Sequence, residues 1–201
     1  MGVDRLVFLD HVDSGIEFDP FARPWGAFVD VKIDVVAEQI AAIATEERAL
    51  ALVTYDENGV YGHPDHVHVY DATIRAADLA GVATRYLATV DREYLHFVES
   101  HLIDHAGGAV PTIRPVGSST VEITTAVAIH DMLDHKQSAI AAHQSQIGTD
   151  PWLGVEATFG DVYGYEWYIR IGPTGPIDRL PTSPQAAPQN RAQRMAMSSR
   201  W

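Results

Sequence analysis

Apolar and polar positions along this chain switch between a period near two and a period near 3.6, and the switches divide it into strands and helices. Arg5-Leu6-Val7-Phe8-Leu9 is a short apolar run that predicts a buried strand, followed by a polar loop over 10–14. Residues 16–32 contain Pro20 and Pro24 with mixed polarity and predict a long loop. From Ile33 to roughly Glu47, Val36, Ile40 and Ile43 share one face of a helix. Ala49–Thr54 is a second short apolar strand with a turn signal, Asn58-Gly59, after it. The main helix runs from about Pro64 to Leu79. A third strand is predicted over Ala83–Val90, then a helix from Glu93 to about Asp104, closed by Gly107-Gly108. β-Branched residues predict a strand over Val121–Ala128, and a second strong helix spans Ile129–Ile147, ended by Gly148 and Pro151. The last strand is predicted over Gly164–Ile171.

Strands alternating with helices predict an α/β fold in three layers with a largely parallel, Rossmann-like sheet. Such sheets carry their sites outside the carboxyl ends of the strands. The segment from Ala49 through His66 fits that geometry as strand, loop and helix start. One domain is expected over 1–172. Five of the eleven prolines lie between Pro173 and Pro188, so 173–201 is expected to be a flexible or loosely draped tail. There are no internal repeats.

Apolar residues make up 46% of the chain and charged residues 20%, an ordinary globular balance. The formal charge of -13 repels nucleic acid and anionic membranes, so neither is an expected partner. The absence of cysteine excludes disulfides, thiolate nucleophiles and cysteine-based zinc fingers. No stretch is apolar enough to span a bilayer, so no membrane insertion is expected. A cytoplasmic protein is the simplest reading, and a homo-oligomer stays open.

Candidate chemistry concentrates in Tyr61-Gly62-His63-Pro64-Asp65-His66, at the start of the main helix. At 100° per residue, His63, His66, Val67, Tyr70, Ile74 and Ala77 fall within about 100° of arc, so both histidines extend a predicted buried stripe. His68 falls on the opposite side and is expected to be solvated. Pro64 suits the first helical position, where its missing N–H costs nothing. The helix dipole favours neutral imidazole, the form that binds metal. The bland alternative is a capped, hydrogen-bonded surface pair, and spacing alone does not choose between the two. Lys136 and His143 share a stripe with Leu133, Ile140 and Ile147, where a lysine can simply snorkel to water. Asp56 suits either capping its loop or aligning a histidine. His96, His101, His105 and His130 share no spacing with the motif and read as surface or structural residues.

The full string Thr54-Tyr55-Asp56-Glu57-Asn58-Gly59-Val60-Tyr61-Gly62-His63-Pro64-Asp65-His66 resembles the second signature of the LmbE-like, or PIG-L-type, zinc deacetylases. It is most similar to the actinobacterial branch that deacetylates N-acetylglucosaminyl-inositol in mycothiol synthesis. Asp13-Ser14-Gly15 upstream, Lys136 and Ala142-His143-Gln144-Ser145-Gln146 downstream, and Glu166 near the end support the likeness over roughly 2–171. The resemblance implies that His66 ligates Zn²⁺ and that His63 supports the oxyanion. It further implies that Asp65 orients His63 and that Tyr61 sits over the substrate carbonyl. By the helical wheel, an Asp65–His63 pair requires His63 to lie before regular helix begins. Asp13, Ser14 and His143 become substrate-binding candidates, although Asp13 and Ser14 also suit a plain turn. Val12 stands where that branch commonly has an arginine, a departure that leaves inositol recognition open.

The family's Ala-His-Pro-Asp-Asp-Glu string, which brings a histidine and an aspartate to zinc and a second aspartate as general base, does not occur here. The resemblance therefore implies a fold lacking the family's first strand–helix units, with one identified zinc ligand, whereas catalytic zinc normally has three. His11 and Asp13 align with a different loop. Either the true start lies upstream of Met1, or the gene is truncated and the product is a remnant or a domain completed by a partner. The implied function is zinc-dependent hydrolysis of an N-acetyl group on an amino sugar or its glycoside, with this chain alone not necessarily active. Alternatives are a thiol-conjugate amidase and a non-catalytic binding fragment of the same fold.

Overall fold

The computed structural model describes residues 2–15, 23–98, 116–143 and 156–180. Between Ile33 and Thr89 the chain makes α1 (Ile33–Glu46), β1 (Ala51–Tyr55), a short helical turn α2 (Gly59–Gly62), α3 (Pro64–Ala80) and β2 (Thr84–Thr89). Residues 92–98 form α4. Then follow β3 (Thr125–Ala128), α5 (Leu133–Ala141), α6 (Glu156–Tyr163) and β4 (Tyr165–Ile171). The predicted continuations of α4 to Asp104 and of α5 to Ile147 lie outside the described residues, as do Gly107-Gly108 and Gly148.

The sheet has the order β1-β2-β4-β3. β1 and β2 are parallel, with Ala51 opposite Thr84, and α3 is the crossover between them. β4 runs antiparallel to both of its neighbours. β1, β2 and β3 therefore point the same way, so the α/β expectation holds. The expectation of a largely parallel sheet needs one correction: because the single reversed strand is central, two of the three ladders are antiparallel.

Alanines set the distance between helices and sheet. Ala37, Ala41 and Ala76 form one buried cluster, and Ala44, Ala77 and Val82 form a second, with Leu52 and Ala80 packed against it. Small side chains at positions i, i+4 and i+7 of α1 let its backbone approach α3 closely. The larger residues expected to form the stripes, Ile40 and Ile43 on α1 and Val67, Tyr70 and Ile74 on α3, are only half-buried at the seam's margins. α3 ends at Gly81, whose left-handed φ of 68° closes the helix.

Two further expectations are corrected. Arg5–Leu9 is not a buried strand: Leu6 is 73% and Phe8 76% exposed, and no backbone ladder joins the run among the described residues. An apolar run becomes a strand only where a partner offers its N–H and C=O groups. Here the segment is tied by Arg5, whose guanidinium meets Glu46 at 2.9 Å and Glu47 at 2.6 Å. At the other end, 173–180 is packed rather than loosely draped. Asp178 accepts hydrogen bonds from Tyr86 (2.5 Å), Thr125 (2.7 Å), the Gly175 N–H (2.7 Å) and Arg170 (2.5 Å), clasping this segment across β2, β3 and β4. Residues 181–201 lie outside the described residues.

Candidate active site

The parallel strands β1 and β2 end side by side at Tyr55 and Thr89, and the loop leaving β1 is built on Asp56. This carboxylate is only 1% exposed. Its Oδ1 accepts the N–H groups of Asn58 (3.0 Å) and Val60 (2.8 Å), and its Oδ2 accepts the Thr89 hydroxyl at 2.6 Å. Of the two roles open from sequence, Asp56 directly fills the first: it caps the loop and makes no hydrogen bond to either histidine among the described residues. The turn it closes is unusual. Val60 has φ 65° and ψ -56°, a region that a β-branched residue enters only under strain. Gly59, at φ 61°, lies against α3 so closely that a Cβ there would stand 2.7 Å from the Cβ of His66.

His63 is the N-cap of α3, with extended backbone (φ -65°, ψ 129°), and Pro64 occupies the first helical position as expected. His63 thus lies before regular helix begins. Its Nδ1 accepts the backbone N–H of Asp65 at 3.2 Å. An imidazole nitrogen that accepts carries no proton, so neutral His63 is the Nε2–H tautomer, with a donor directed away from the helix end. His66 is the reverse. Its Nδ1 lies 3.2 Å from the carbonyl of Gly59, which can only accept, so Nδ1 holds the proton and Nε2 keeps a free lone pair. Adjacent rings therefore present one donor and one lone pair.

Aromatic neighbours fix both rings. Tyr55 stacks on His66 with centroids 3.9 Å apart and planes 12° apart, and His63 lies on it at 4.8 Å. The Tyr61 ring meets His66 edge-on at 5.1 Å and His63 at 6.2 Å. Burial lowers the pKa of His66, against the raising effect of the Gly59 carbonyl, and His63 lowers it further, so the neutral form is favoured. Burial, with Tyr55 beside it, raises the pKa of Tyr61, which keeps its phenol protonated as a donor.

Asp65 touches His63 through its backbone N–H, while its carboxylate faces the other way. Oδ2 accepts the Ser14 N–H at 3.0 Å, and Oδ1 is buried with no hydrogen-bond partner among the described residues. Ser14 is itself buried, with its hydroxyl accepting the Val29 N–H at 3.1 Å. Asp13 closes a tight turn on the Gly15 N–H at 2.7 Å and is close enough to His66 to favour its charged form. His63, His66, Tyr61, Asp65, Ser14 and Asp13 are thus brought together. His68, expected to be solvated, instead packs edge-on to Phe28 at 4.8 Å with Nε2 buried. The loop carrying Phe28 covers what a helical wheel treats as an open face.

His143 lies apart from the pair, on a cleft of about 700 Å³ lined also by Ile129, Met132, Lys136, Ile140 and Glu166. Lys136 does more than snorkel, pairing with Glu166 at 2.6 Å. Because β4 is reversed, its first residues pair with the last residues of β2 and β3, with Trp167 opposite Thr89 and Tyr165 opposite Ala128. This cleft and the histidine pair therefore both lie toward the carboxyl edge of the sheet, the cleft beyond β3 and β4 and the pair beyond β1. Gln144, Ser145 and Gln146 lie outside the described residues. Tyr55 and Gly59 lie inside the motif, but nothing in the sequence marks the ring on which His66 stacks or the carbonyl that its Nδ1 meets.

Among the described residues no group of three His, Asp or Glu side chains is placed to hold a metal ion. The donor set here fits one imidazole of a metal centre, His66, whose lone pair is left free by the Gly59 carbonyl.

The chain can now be set beside known proteins. The family profile described as PIG-L, GlcNAc-PI de-N-acetylase, matches residues 1–77. A protein of Acidothermus cellulolyticus named 1D-myo-inositol 2-acetamido-2-deoxy-alpha-D-glucopyranoside deacetylase is 33% identical over 175 residues, covering 79% of this chain and 58% of the relative. Proteins of the same name from Streptomyces griseus and Thermobispora bispora are 32% and 29% identical, covering 80% and 88% of this chain and 56% and 66% of their own lengths. The chain thus spans between about half and two thirds of the curated relatives it matches. Its matched region contains the histidine pair with the loop that aims it, and on these likenesses the chain belongs to the PIG-L, or GlcNAc-PI de-N-acetylase, family.

Proposed function

We propose that this chain serves metal-dependent hydrolysis of the N-acetyl group on an amino-sugar glycoside, the kind of compound named for its curated relatives. The observation that carries the reading is the opposite protonation of His63 and His66. Amide hydrolysis develops negative charge on the carbonyl oxygen, and a fixed N–H directed at that position stabilises it. Nε2–H of His63 is such a donor, and the phenol of Tyr61 beside it is a second. His66 offers the lone pair suited to Zn²⁺, although His/Asp sites also accept Fe²⁺, Co²⁺ or Mn²⁺. The residues described supply one ligand rather than a complete set, so the chemistry assigned to this chain is limited to its own groups: donation by His63 and Tyr61, and orientation of the pair.

Asp65 orients His63 through its backbone N–H while its carboxylate anchors the Ser14 loop. Asp13 and Ser14 act on substrate mainly by shaping that loop, and His143 borders the glycoside from the neighbouring cleft. No described helix is long and apolar enough to cross a membrane. The proposed substrate is small and soluble, met in the cytoplasm.

The test is release of primary amine from N-acetylglucosaminyl-inositol, with a thiol-conjugate acetamide as competitor, in the presence of each of the four metals. Hydrolysis of the glycoside that falls roughly 10²–10³-fold in His63→Ala supports the reading. No release with any metal, or release that His63→Ala leaves unchanged, contradicts it.

A further inference from the structure

The strained turn before the histidines is held from both sides by groups that touch neither ring. The Val60 N–H donates to Asp56 at 2.8 Å, and the Val60 carbonyl accepts the Gly117 N–H at 2.8 Å. Gly117 is itself closely packed. A side chain there would collide with the Val90 carbonyl, and the Ser118 N–H donates to that same carbonyl at 2.9 Å. Ser118 Oγ lies 3.0 Å from Thr89 Oγ1, whose proton goes to Asp56, so the ring of contacts closes on the carboxylate where it began. Farther along the 116–122 loop, Glu93 accepts the Thr120 N–H at 2.7 Å and the Ser119 hydroxyl at 3.0 Å.

Strain of this kind persists only where the surroundings over-determine it. What it achieves is visible one residue earlier. With Val60 relaxed to a negative φ, the peptide between Gly59 and Val60 would rotate, and the Gly59 carbonyl with it. Among the described residues, that carbonyl is the hydrogen-bond partner of the His66 ring. Asp56 also accepts, through its own carbonyl, the Gly59 N–H at 2.9 Å.

We infer that Asp56 is a positioning residue: by holding Val60 in its strained turn it aims the Gly59 carbonyl at Nδ1 of His66, and so keeps the Nε2 lone pair of that ring free. Thr89, Ser118 and Gly117 complete the brace. The inference rests on the reading of His66 given above and deepens it. Partners that fix a ligand imidazole from its far side set its tautomer in this way. The brace acts on one ring only, because His63 takes its proton arrangement from the end of α3.

The test is long-range ¹⁵N–¹H correlation of the histidine rings in the full chain at one pH, about 9, well above the ordinary histidine value. In Asp56→Ala the ratio of Nδ1–H to Nε2–H tautomer of His66 should fall about fivefold, the factor that one hydrogen bond of ordinary net strength supports. His63 should not change. Asp56→Asn keeps an oxygen for the two backbone N–H groups and should restore the wild-type ratio. An unchanged His66 in folded Asp56→Ala, or equal shifts of both histidines, overturns the inference. Should Asp56→Ala fail to fold, Thr89→Val removes one strut without removing volume: a shift of His66 alone supports the inference, and no shift overturns it. A wild-type His66 already in the Nε2–H form would instead sink the site reading itself, so the two failures are distinguishable.

Discussion

Two aspartates, Asp178 partly buried and Asp56 fully buried, organise opposite edges of the same sheet, and they do so differently. Asp178, at the amino edge of β2, accepts from a tyrosine, a threonine, a backbone N–H and Arg170, so its charge is neutralised within the cluster. Asp56, at the carboxyl edge, has no cation among its partners in the described residues and accepts from two backbone N–H groups and Thr89. The first arrangement lowers the energy of the fold. The second keeps a strained turn in place. Both carboxylate oxygens of Asp178 have partners, whereas Oδ1 of Asp65, beside the histidine pair, is buried with no partner among the described residues, and Val60 sits at positive φ. At the carboxyl edge, backbone strain is kept where the chemistry is placed.

The sharpest way to break this contrast is to remove the clasp. Asp178→Ala leaves Arg170, Tyr86 and Thr125 without their shared acceptor and should lower unfolding free energy by about 3 kcal/mol in urea titration. The histidine ring spectra should stay as they are. The same group sets an acid dependence. Burial opposes the charge on Asp178, but the hydrogen bonds from Gly175, Tyr86, Thr125 and Arg170 outweigh it and hold its pKa below the ordinary carboxylate range. Glu93, gripped chiefly by the Thr120 N–H, is lowered to about 2. A depressed folded pKa means stability that is fully present above the unfolded value, ordinarily 3.8 for Asp178 and 4.5 for Glu93, and lost as pH falls through the folded one. Wild type should therefore weaken below about pH 4.5, and Asp178→Asn should weaken less steeply.

Gly59→Ala comes next. The added methyl meets His66 and the position keeps a positive φ, so a loss of about 2 kcal/mol is expected, with chemical-shift changes centred on His66. A silent substitution would show that the turn is looser than its contacts imply. The smallest effect should have the opposite sign. Val60→Gly relieves the strained φ at some cost in chain entropy, so it should raise stability by about 1 kcal/mol. Destabilisation there would mean that Val60 is held by packing rather than by its hydrogen bonds.

How much of this was legible in the sequence depended on whether the signal was local. Pro64 and the 3.6-residue period marked α3 to within a residue, because caps and periodicity are written in neighbouring side chains. The motif around His63 and His66 was equally plain. The apolar run at 5–9 misled, since hydrophobicity does not say where a ladder partner lies. Isoleucines were expected where alanines do the packing, because the wheel ranks residues by apolarity and not by how closely two backbones approach. Proline content made 173–180 look loose, yet one aspartate with four donors outweighs it. The tautomers of the two histidines were out of reach. They depend on the direction of the Gly59 carbonyl, which is set by the φ of Val60 and by a loop more than fifty residues downstream.

The asymmetry of that pair is the centre of the account, and ring ¹⁵N spectra of the unmodified chain at about pH 9 test it most directly. The account predicts His63 protonated on Nε2 and His66 protonated on Nδ1. Two rings in the same tautomer would contradict it.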